Sequence, residues 1–278
     1  MTQLISLLTS AIVFGTVILY GAVGEIITEK SGNLNLGVPG IMYLGGIAGL
    51  ATAFFYEMYA AEPVGWIGLV LSFIAAFLAS ALGGLIYAFL TITLRANQNV
   101  TGLTLTIFGA GLANLFGGSL NGLAGGVGQI SVAVTSRAYR AYIPVLSGLG
   151  SLGKLLFSFG FMAYLAVIIA VGASWFLNRS QVGLNLRAVG EDPATADAAG
   201  INVTRYKYAA TCIGAGISGM GGLYYVMDYI KCTWSTDGTI EALGWLAVAG
   251  SSPTARRFSP TRERLRNQLA SRATAMAR

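Results

Sequence analysis

Apolar residues are grouped along this chain in long segments that contain no charged side chain. Six such segments occur, at 1–24, 31–56, 63–94, 96–136, 155–178 and 208–227. Each is long enough to span a membrane, because a helix needs about 20 consecutive apolar residues to cross the hydrocarbon core of a bilayer. The pattern predicts helices at about 4–23, 36–56, 64–94, 98–118, 155–177 and 206–228. We therefore expect an all-α integral membrane protein, a polytopic helical bundle.

The composition agrees with this prediction. Of 278 residues, 55% are hydrophobic and only 10% are charged. A large soluble protein with buried helices is the alternative, but it would not place six uncharged segments in succession. No positive residue precedes the first apolar run, so we expect no cleavable signal peptide.

The residue inventory narrows the classes of function. Histidine is absent, which excludes imidazole metal sites and serine-type triads, and we predict no catalytic and no metal-binding residue. Seven of the 17 basic residues lie in the last 29 positions, so the net charge of +6 does not indicate nucleic-acid binding. Asp228, at the end of a span, is the only acidic residue that we place inside the spans, which disfavours a proton-driven carrier. GLGSLGKL, 148–155, lacks the Ser or Thr of a phosphate loop, so we expect no nucleotide site.

Two polar stretches interrupt the apolar pattern. In TEKSGNLNLGVPG, 28–40, Asn33 and Asn35 precede Gly37, Pro39 and Gly40. This pattern fits an interrupted helix that lines a pathway, because broken backbone at membrane depth needs protein or water around it, and it equally fits an ordinary loop and cap.

The second polar stretch, RANQNVTGLTLT, 95–106, opens the fourth span. Asn97 and Thr101 fit a pathway, but they also fit a helix start that is capped at the membrane surface. Asn114 lies deeper in the span and needs a polar partner, either on a neighbouring helix or on a passing solute.

Lys and Arg are distributed unequally between the loops. Placing the loop at 178–207 in the cytoplasm also puts Lys30 and Arg95 there, and it leaves fewer basic residues outside. This bias predicts an extracytoplasmic N-terminus.

The loop at 178–207 contains the signals of a short helix. Asp192 is placed to cap it, Pro193 to begin it and Gly200 to end it. An exposed helix of small residues between two spans can enter a groove on a partner protein and transmit its motion. A solvated linker is the alternative, but a linker has no reason to be capped at both ends.

Three stretches resemble the permease subunits of bacterial ABC importers, most closely the nucleoside and simple-sugar group and more distantly the branched-chain amino-acid permeases. They are GLNLRAVGEDPATADAAGINVTRYKY at 183–208, ITEKSGNLNLGVPGIMYLGG at 27–46 and RANQNVTGLTLTIFGAGLANLFGG at 95–118. The first resembles the cytoplasmic coupling loop of that group. The resemblance covers about 1–249, and it implies a multi-pass protein of the bacterial inner membrane that moves a neutral polar solute, first a nucleoside and second a simple sugar.

The resemblance also implies partners and roles. The partners are a cytoplasmic ABC ATPase that holds ATP and Mg²⁺, a second permease subunit and an extracytoplasmic substrate-binding lipoprotein, while this chain carries no cofactor. The coupling residues implied are Ala188, Gly190, Glu191, Ala196, Ala199 and Gly200, with the predicted cap Asp192 on the same surface. The pathway candidates are Asn33, Asn35, Asn97, Thr101 and Asn114. An ATP-independent channel or facilitator and a membrane enzyme are the alternatives of other classes.

The chain departs from the family pattern at two places. Val38-Pro39 replaces the usual Leu-Glu, which removes a carboxylate. EALGWLAVA, 241–249, resembles the start of a further span, so we expect six to seven spans in a permease domain at 1–249 that is truncated at its C-terminus. We expect the basic tail at 250–278 to come from a shifted reading frame; the alternative is a native surface-lying helix with Leu265, Leu269, Ala273 and Met276 on one face.

Overall fold

All regular structure in the described part of the chain is helical. The computed structural model describes residues 2–123, 132–140, 159–234 and 238–251. The helices are α1 Thr2–Glu29, α2 Val38–Tyr59, α3 Gly65–Ala88, α4 Gln98–Leu123, α5 Ala133–Tyr139, α6 Phe161–Arg179, α7 Gln181–Glu191, α8 Pro193–Ala198, α9 Val203–Tyr224 and α10 Thr239–Ser251. Two π-helical turns, Phe89–Thr93 and Tyr225–Tyr229, continue α3 and α9. The predicted all-α bundle is confirmed.

Five of these helices are long and apolar enough to cross a membrane. They are α1 from Leu7, α2, α3 with its π-helical turn, α4 and α6. The predicted span at 206–228 corresponds to α9, which is 22 residues long but rich in glycine and polar side chains. Because α9 packs against α1, α2 and α3, it is shielded by other helices and needs less apolar surface.

Small residues let α9 approach its neighbours closely. A methyl group at Gly214 would collide with the carbonyl oxygen of Gly24, and one at Gly222 would collide with that of Met42. Ser218 donates a hydrogen bond to the carbonyl of Gly21 over 3.2 Å. The four-residue spacing of small residues in α9 therefore forms a helix–helix contact in which backbones nearly touch.

Two rows of small residues at four-residue spacing run along α3, with Ala75, Ala79 and Gly83 in one row and Ser72, Ala76 and Ser80 in the other. Ala75 and Ala79 are only half-buried, whereas Ser72, Ala76 and Ser80 are fully buried. α3 offers two parallel rows of small residues at four-residue spacing, and the hydroxyl-containing row faces α2 and α9, where Ser80 donates to the carbonyl of Ile41 over 3.3 Å. Polar groups turn inward because lipid offers them no hydrogen-bond partner.

The helix ends separate into two groups. At one end, the turn after α1 contacts α7 and the residues before α2 contact the start of α4. At the other end, the Glu57 carboxylate on α2 accepts hydrogen bonds from the backbone N–H groups of Val134 and Thr135, at the start of α5, over 3.3 and 2.6 Å. Lys30 and the 178–207 loop thus lie at the same end of the bundle, as expected if both are on the same side of the membrane.

Several boundaries differ from the sequence-based expectations. α6 begins at Phe161 rather than near 155, and the short helix α5 was not expected. α10 continues to Ser251, two residues past the predicted domain boundary at 249. The phosphate-loop-like segment at 148–155 and the tail at 252–278 lie outside the described residues.

Candidate functional site

The loop between α6 and α9 folds into two consecutive helices, α7 and α8. The Asp192 carboxylate accepts hydrogen bonds from the backbone N–H groups of Ala194 and Thr195 over 3.1 and 3.3 Å. Its bond with the Thr195 hydroxyl holds the pKa of Asp192 below its ordinary value. α8 ends before Gly200, which has a φ of +82° that favours glycine. The predicted cap, start and stop of α8 are therefore confirmed.

α7 forms the first part of the 178–207 loop and runs from Gln181 to Glu191. Ser180 caps it by accepting from the N–H of Gly183 over 2.9 Å, and Leu186 and Val189 are buried beneath it. Gly183 and Gly190 both lie inside this helix. Each must be glycine because a neighbouring backbone carbonyl leaves no room for a side chain, that of Phe176 at Gly183 and that of Lys30 at Gly190. Asn185 links α7 to α9 by donating a hydrogen bond to the Tyr206 hydroxyl over 3.2 Å.

Most of the predicted coupling residues lie on the outer surface of α7 and α8. Those with exposed side chains or backbone are Ala188, Glu191, Asp192, Ala199 and Gly200. Ala196 is only 4% exposed, and Gly190 faces the bundle. The exposed part of this predicted surface therefore consists of the first five residues, because Ala196 is buried and the close contacts of Gly190 are with the bundle.

Gly190 joins this surface to the rest of the bundle. A methyl group at position 190 would lie 3.0 Å from the backbone nitrogen of Gly32 and closer still to the carbonyl oxygen of Lys30. Gly32 itself has a φ of +86°, so the turn that follows α1 is tightly bent at this contact. Displacement of α7 toward the bundle must therefore move the turn at 30–32.

A buried polar network begins directly after that turn. Asn33 and Asn35 are each 1% exposed. The side-chain oxygen of Gln98 accepts from the N–H of Leu34 over 3.0 Å, and a carboxylate oxygen of Glu25 accepts from the N–H of Asn35 over 2.7 Å. The break between α1 and α2 is therefore held by side chains from α1 and α4.

Other helices complete the hydrogen bonds of the same segment. Tyr87 on α3 donates to the carbonyl of Leu34, and Thr106 on α4 donates to the carbonyl of Leu36 over 3.1 Å. Asn33 donates to the Thr211 hydroxyl on α9 over 3.4 Å. The segment 33–37 is packed protein in this conformation, and its position links the turn at 30–32 to four helices.

Glu25 corrects the expectation that the spans hold no acidic residue apart from Asp228. It lies on α1 inside the span Leu7–Glu29 and is 1% exposed. Its second carboxylate oxygen, like the Oδ2 atom of Asp228, has no hydrogen-bond partner among the described residues. The sequence pattern missed it because Glu25 directly follows an uncharged run, while its burial results from the returning segment 33–37.

The remaining pathway candidates all lie in or beside α4. Asn97 caps this helix by accepting from the N–H groups of Asn99 and Val100 over 3.0 and 3.2 Å, and Thr101 donates back to the Asn97 carbonyl. Asn114 is exposed and accepts a hydrogen bond from the Trp234 indole over 3.3 Å. The five pathway candidates thus occupy two places, the buried network and α4.

The outward face of α4 was not recognised from the sequence. Thr104, Gly111, Gly118 and Gly122 recur at intervals of seven and four residues and are exposed, and a methyl group at any of these three glycines would meet open space. This periodicity places them on one helix face. In the sequence, this face could have been recognised from the lack of charged residues along it.

Comparison with known proteins agrees with this architecture. Residues 7–252 match the family described as branched-chain amino acid transport system / permease component. A putative glucose ABC transporter permease protein of Haloferax volcanii is 34% identical over 87% of this chain and 68% of its own length. The guanosine ABC transporter permease protein of Bacillus subtilis is 32% identical over 89% of this chain and 75% of its own length.

A nucleoside ABC transporter permease protein of Lactococcus lactis is 28% identical over 87% of this chain and 73% of its own length. The comparison with solved structures gives no significant match. With its apolar helices, the chain is a multi-pass protein of the cell membrane that works with an ABC ATPase and a substrate-binding protein. It belongs to the branched-chain amino acid transport system permease family and is a permease subunit of an ABC importer.

Proposed function

We propose that this permease subunit moves nucleosides into the cell. Two of the similar proteins are named for guanosine and nucleoside transport. The outward side of α4 carries no charge, and it exposes the Thr104 hydroxyl and the Asn114 amide among apolar side chains such as Ile107 and Leu115, which suits an uncharged solute. A simple sugar is the second candidate, because the Haloferax volcanii relative is named as a putative glucose permease.

The assembly that we propose has four kinds of component. A second permease subunit pairs with this chain, an extracytoplasmic substrate-binding lipoprotein delivers the solute, and an ABC ATPase binds the cytoplasmic loop. We propose that the ATPase binds ATP and Mg²⁺ and that this chain needs no cofactor or metal of its own; its described residues include no cluster of metal-ligating side chains.

The observation that carries the proposal is the contact of Gly190 with the turn at 30–32. The outer surface of α7 and α8 is open to a partner, while the inner side of α7 touches the turn that leads into the buried network. Motion of the ATPase is transmitted from α8 through α7 to the turn, and from the turn to the start of α4 through Gln98.

The proposed solute path follows the outward face of α4. Thr101, Thr104 and Asn114 supply hydrogen-bonding groups along it, and the exposed glycines leave room beside the helix. A second permease subunit placed against this face encloses the path. Asn33 and Asn35 then act one layer inside, by connecting the moving turn to α4.

The coupling proposal is tested by two substitutions, Gly200→Trp and Glu191→Arg, in the assembled transporter. Both sites are exposed, so we expect normal membrane insertion with loss of uptake and of stimulated ATP hydrolysis. Gly238→Trp is the matched control for the glycine, because Gly238 also has a positive φ, +74°, and open space around it. Normal transport by both coupling variants would identify the loop as a linker.

The substrate proposal is tested with purified permease, ATPase and binding protein reconstituted in vesicles. We expect ATP-dependent accumulation of labelled guanosine that unlabelled nucleosides suppress and glucose does not. Suppression by glucose alone would assign the permease to sugars. Uptake without ATP would contradict coupling and support a facilitator.

A further inference from the structure

A cleft between α1 and α6 combines a basic end with an apolar end. It has a volume of about 230 Å³ and lies where both helices leave the membrane. Lys30 and Arg187 line its outer end together with Asn178 and Ser174, and the lining residues, all within the described part of the chain, include no carboxylate. Val23 lies at the inner end.

The depth of the cleft matches the geometry of a phospholipid. Val23 and Lys30 are seven residues apart on or just beyond α1, which corresponds to about 10 Å along a helix axis. That distance separates a phosphate at the membrane surface from the first part of its acyl chains. The side chains of Ile26, Ala170 and Ala173 line the apolar part, where an acyl chain would lie.

The Arg187 guanidinium is held in place over the cleft. One of its N–H groups donates to the side-chain oxygen of Asn178 over 3.2 Å, and Asn178 donates in turn to the carbonyl of Ser174 over 2.8 Å. The remaining N–H groups of a guanidinium match the oxygens of a phosphodiester. Lys30 is half-buried on the opposite wall, so both walls present positive charge to one site.

We propose that this cleft binds the headgroup phosphate of an anionic phospholipid of the cytoplasmic leaflet. Basic pockets between helices on the cytoplasmic side are suited to such headgroups, and the cytoplasmic leaflet is rich in anionic lipid. The bound phosphate joins Lys30 to Arg187, and therefore the end of α1 to α7, at the same place where Gly190 meets the turn at 30–32. The assignment to the cytoplasmic leaflet and an effect of the lipid on coupling rest on the proposed function, but binding of an anionic phospholipid does not.

The test is lipid retention by the purified full-length chain, measured by native mass spectrometry with phosphatidylglycerol and phosphatidylcholine. We expect preferential retention of phosphatidylglycerol. The double variant Lys30→Gln/Arg187→Gln should weaken it about 25-fold, since each basic residue removed near an anionic lipid costs about fivefold in binding. The matched control Arg179→Gln/Arg205→Gln removes two exposed cations near the same end of the bundle and should leave retention nearly unchanged.

A second variant tests the apolar end. Ala170→Phe fills the cleft without altering charge, and it should also reduce phosphatidylglycerol retention. The exchange variant Lys30→Arg/Arg187→Lys keeps both charges and should retain the lipid. Equal retention of the two lipids, equal loss in both glutamine double variants, or full retention by Ala170→Phe would overturn the proposal. Binding of glycerol phosphate as tight as that of the lipid would overturn it too, because the site would then select a free anion.

Discussion

Replacing Gly190 by alanine tests whether α7 and the turn at 30–32 move as one body. The added methyl group would lie 3.0 Å from both the Gly32 nitrogen and the Lys30 carbonyl carbon and closer still to the Lys30 carbonyl oxygen, so every one of these contacts is about 0.5 Å or more inside the normal distance. Since the obstacles are backbone atoms, α7 has to shift. Such overpacking costs about 1–3 kcal/mol, and the higher helix propensity of alanine offsets about 1 kcal/mol.

A net cost of about 0–2 kcal/mol leaves the protein folded and inserted but changes the contact that transmits motion. We expect Gly190→Ala to bind the ATPase normally and to transport less solute per ATP hydrolysed, measured as uptake and phosphate release in the same vesicles. Gly183→Ala is the matched control, because Gly183 lies in α7 like Gly190 but its methyl group would crowd the Phe176 carbonyl of α6 without touching the turn. An unchanged ratio in Gly190→Ala, or the same decrease in both variants, would refute the reasoning.

Three further predictions concern the cap, the network and the path. Asp192→Ala should increase hydrogen exchange in α8. Because the pKa of Asp192 is lowered in the folded protein, the wild-type cap should be fully present above the ordinary pKa of an aspartate and should be lost only as the pH falls through the lowered value. Glu25→Leu should lower stability by about 1–3 kcal/mol in thermal unfolding, since it leaves the N–H of Asn35 unpaired, whereas Glu25→Gln should lower it less. A cysteine at exposed Asn114 should react with a water-soluble thiol reagent in the resting transporter, and one at buried Asn33 should not.

Each of these three predictions has a contrary outcome. Unchanged exchange in α8 would remove the role of the cap, and equal stability of the two Glu25 variants would show that its hydrogen bond contributes little. Reaction at Asn33 but not at Asn114 would place the water-filled path through the break between α1 and α2.

Features that depend on neighbouring residues in the sequence could be predicted. The cap at Asp192, the start at Pro193 and the end at Gly200 are local, since each requires only the residues of one helical turn. The close packing of Gly214, Ser218 and Gly222 could also be anticipated, because small residues at four-residue spacing let helix backbones approach one another, and α9 is buried on most sides along this stretch.

Features that depend on tertiary packing could not be predicted. Glu25 becomes internal because segment 33–37 folds back over it, and nothing within α1 indicates this. In α3 the choice between the rows of Ala75 and Ala76 depends on which face meets α9. The contact of Gly190 with the turn at 30–32 likewise joins two distant parts of the chain, and no local pattern around Gly190 indicates it.

The polar bonds around segment 33–37 also affect how the protein is made. The N–H of Leu34 is satisfied by Gln98, 64 residues later in the chain, and at about 5–20 residues per second the ribosome needs about 3–13 s to reach it. During that interval α1 and α2 are made, but the backbone N–H of Leu34 between them still has no hydrogen-bond partner. The hydrocarbon core of a bilayer cannot supply one. The first hairpin must therefore wait in contact with water or the insertion machinery, and the arrival of α4 completes its insertion.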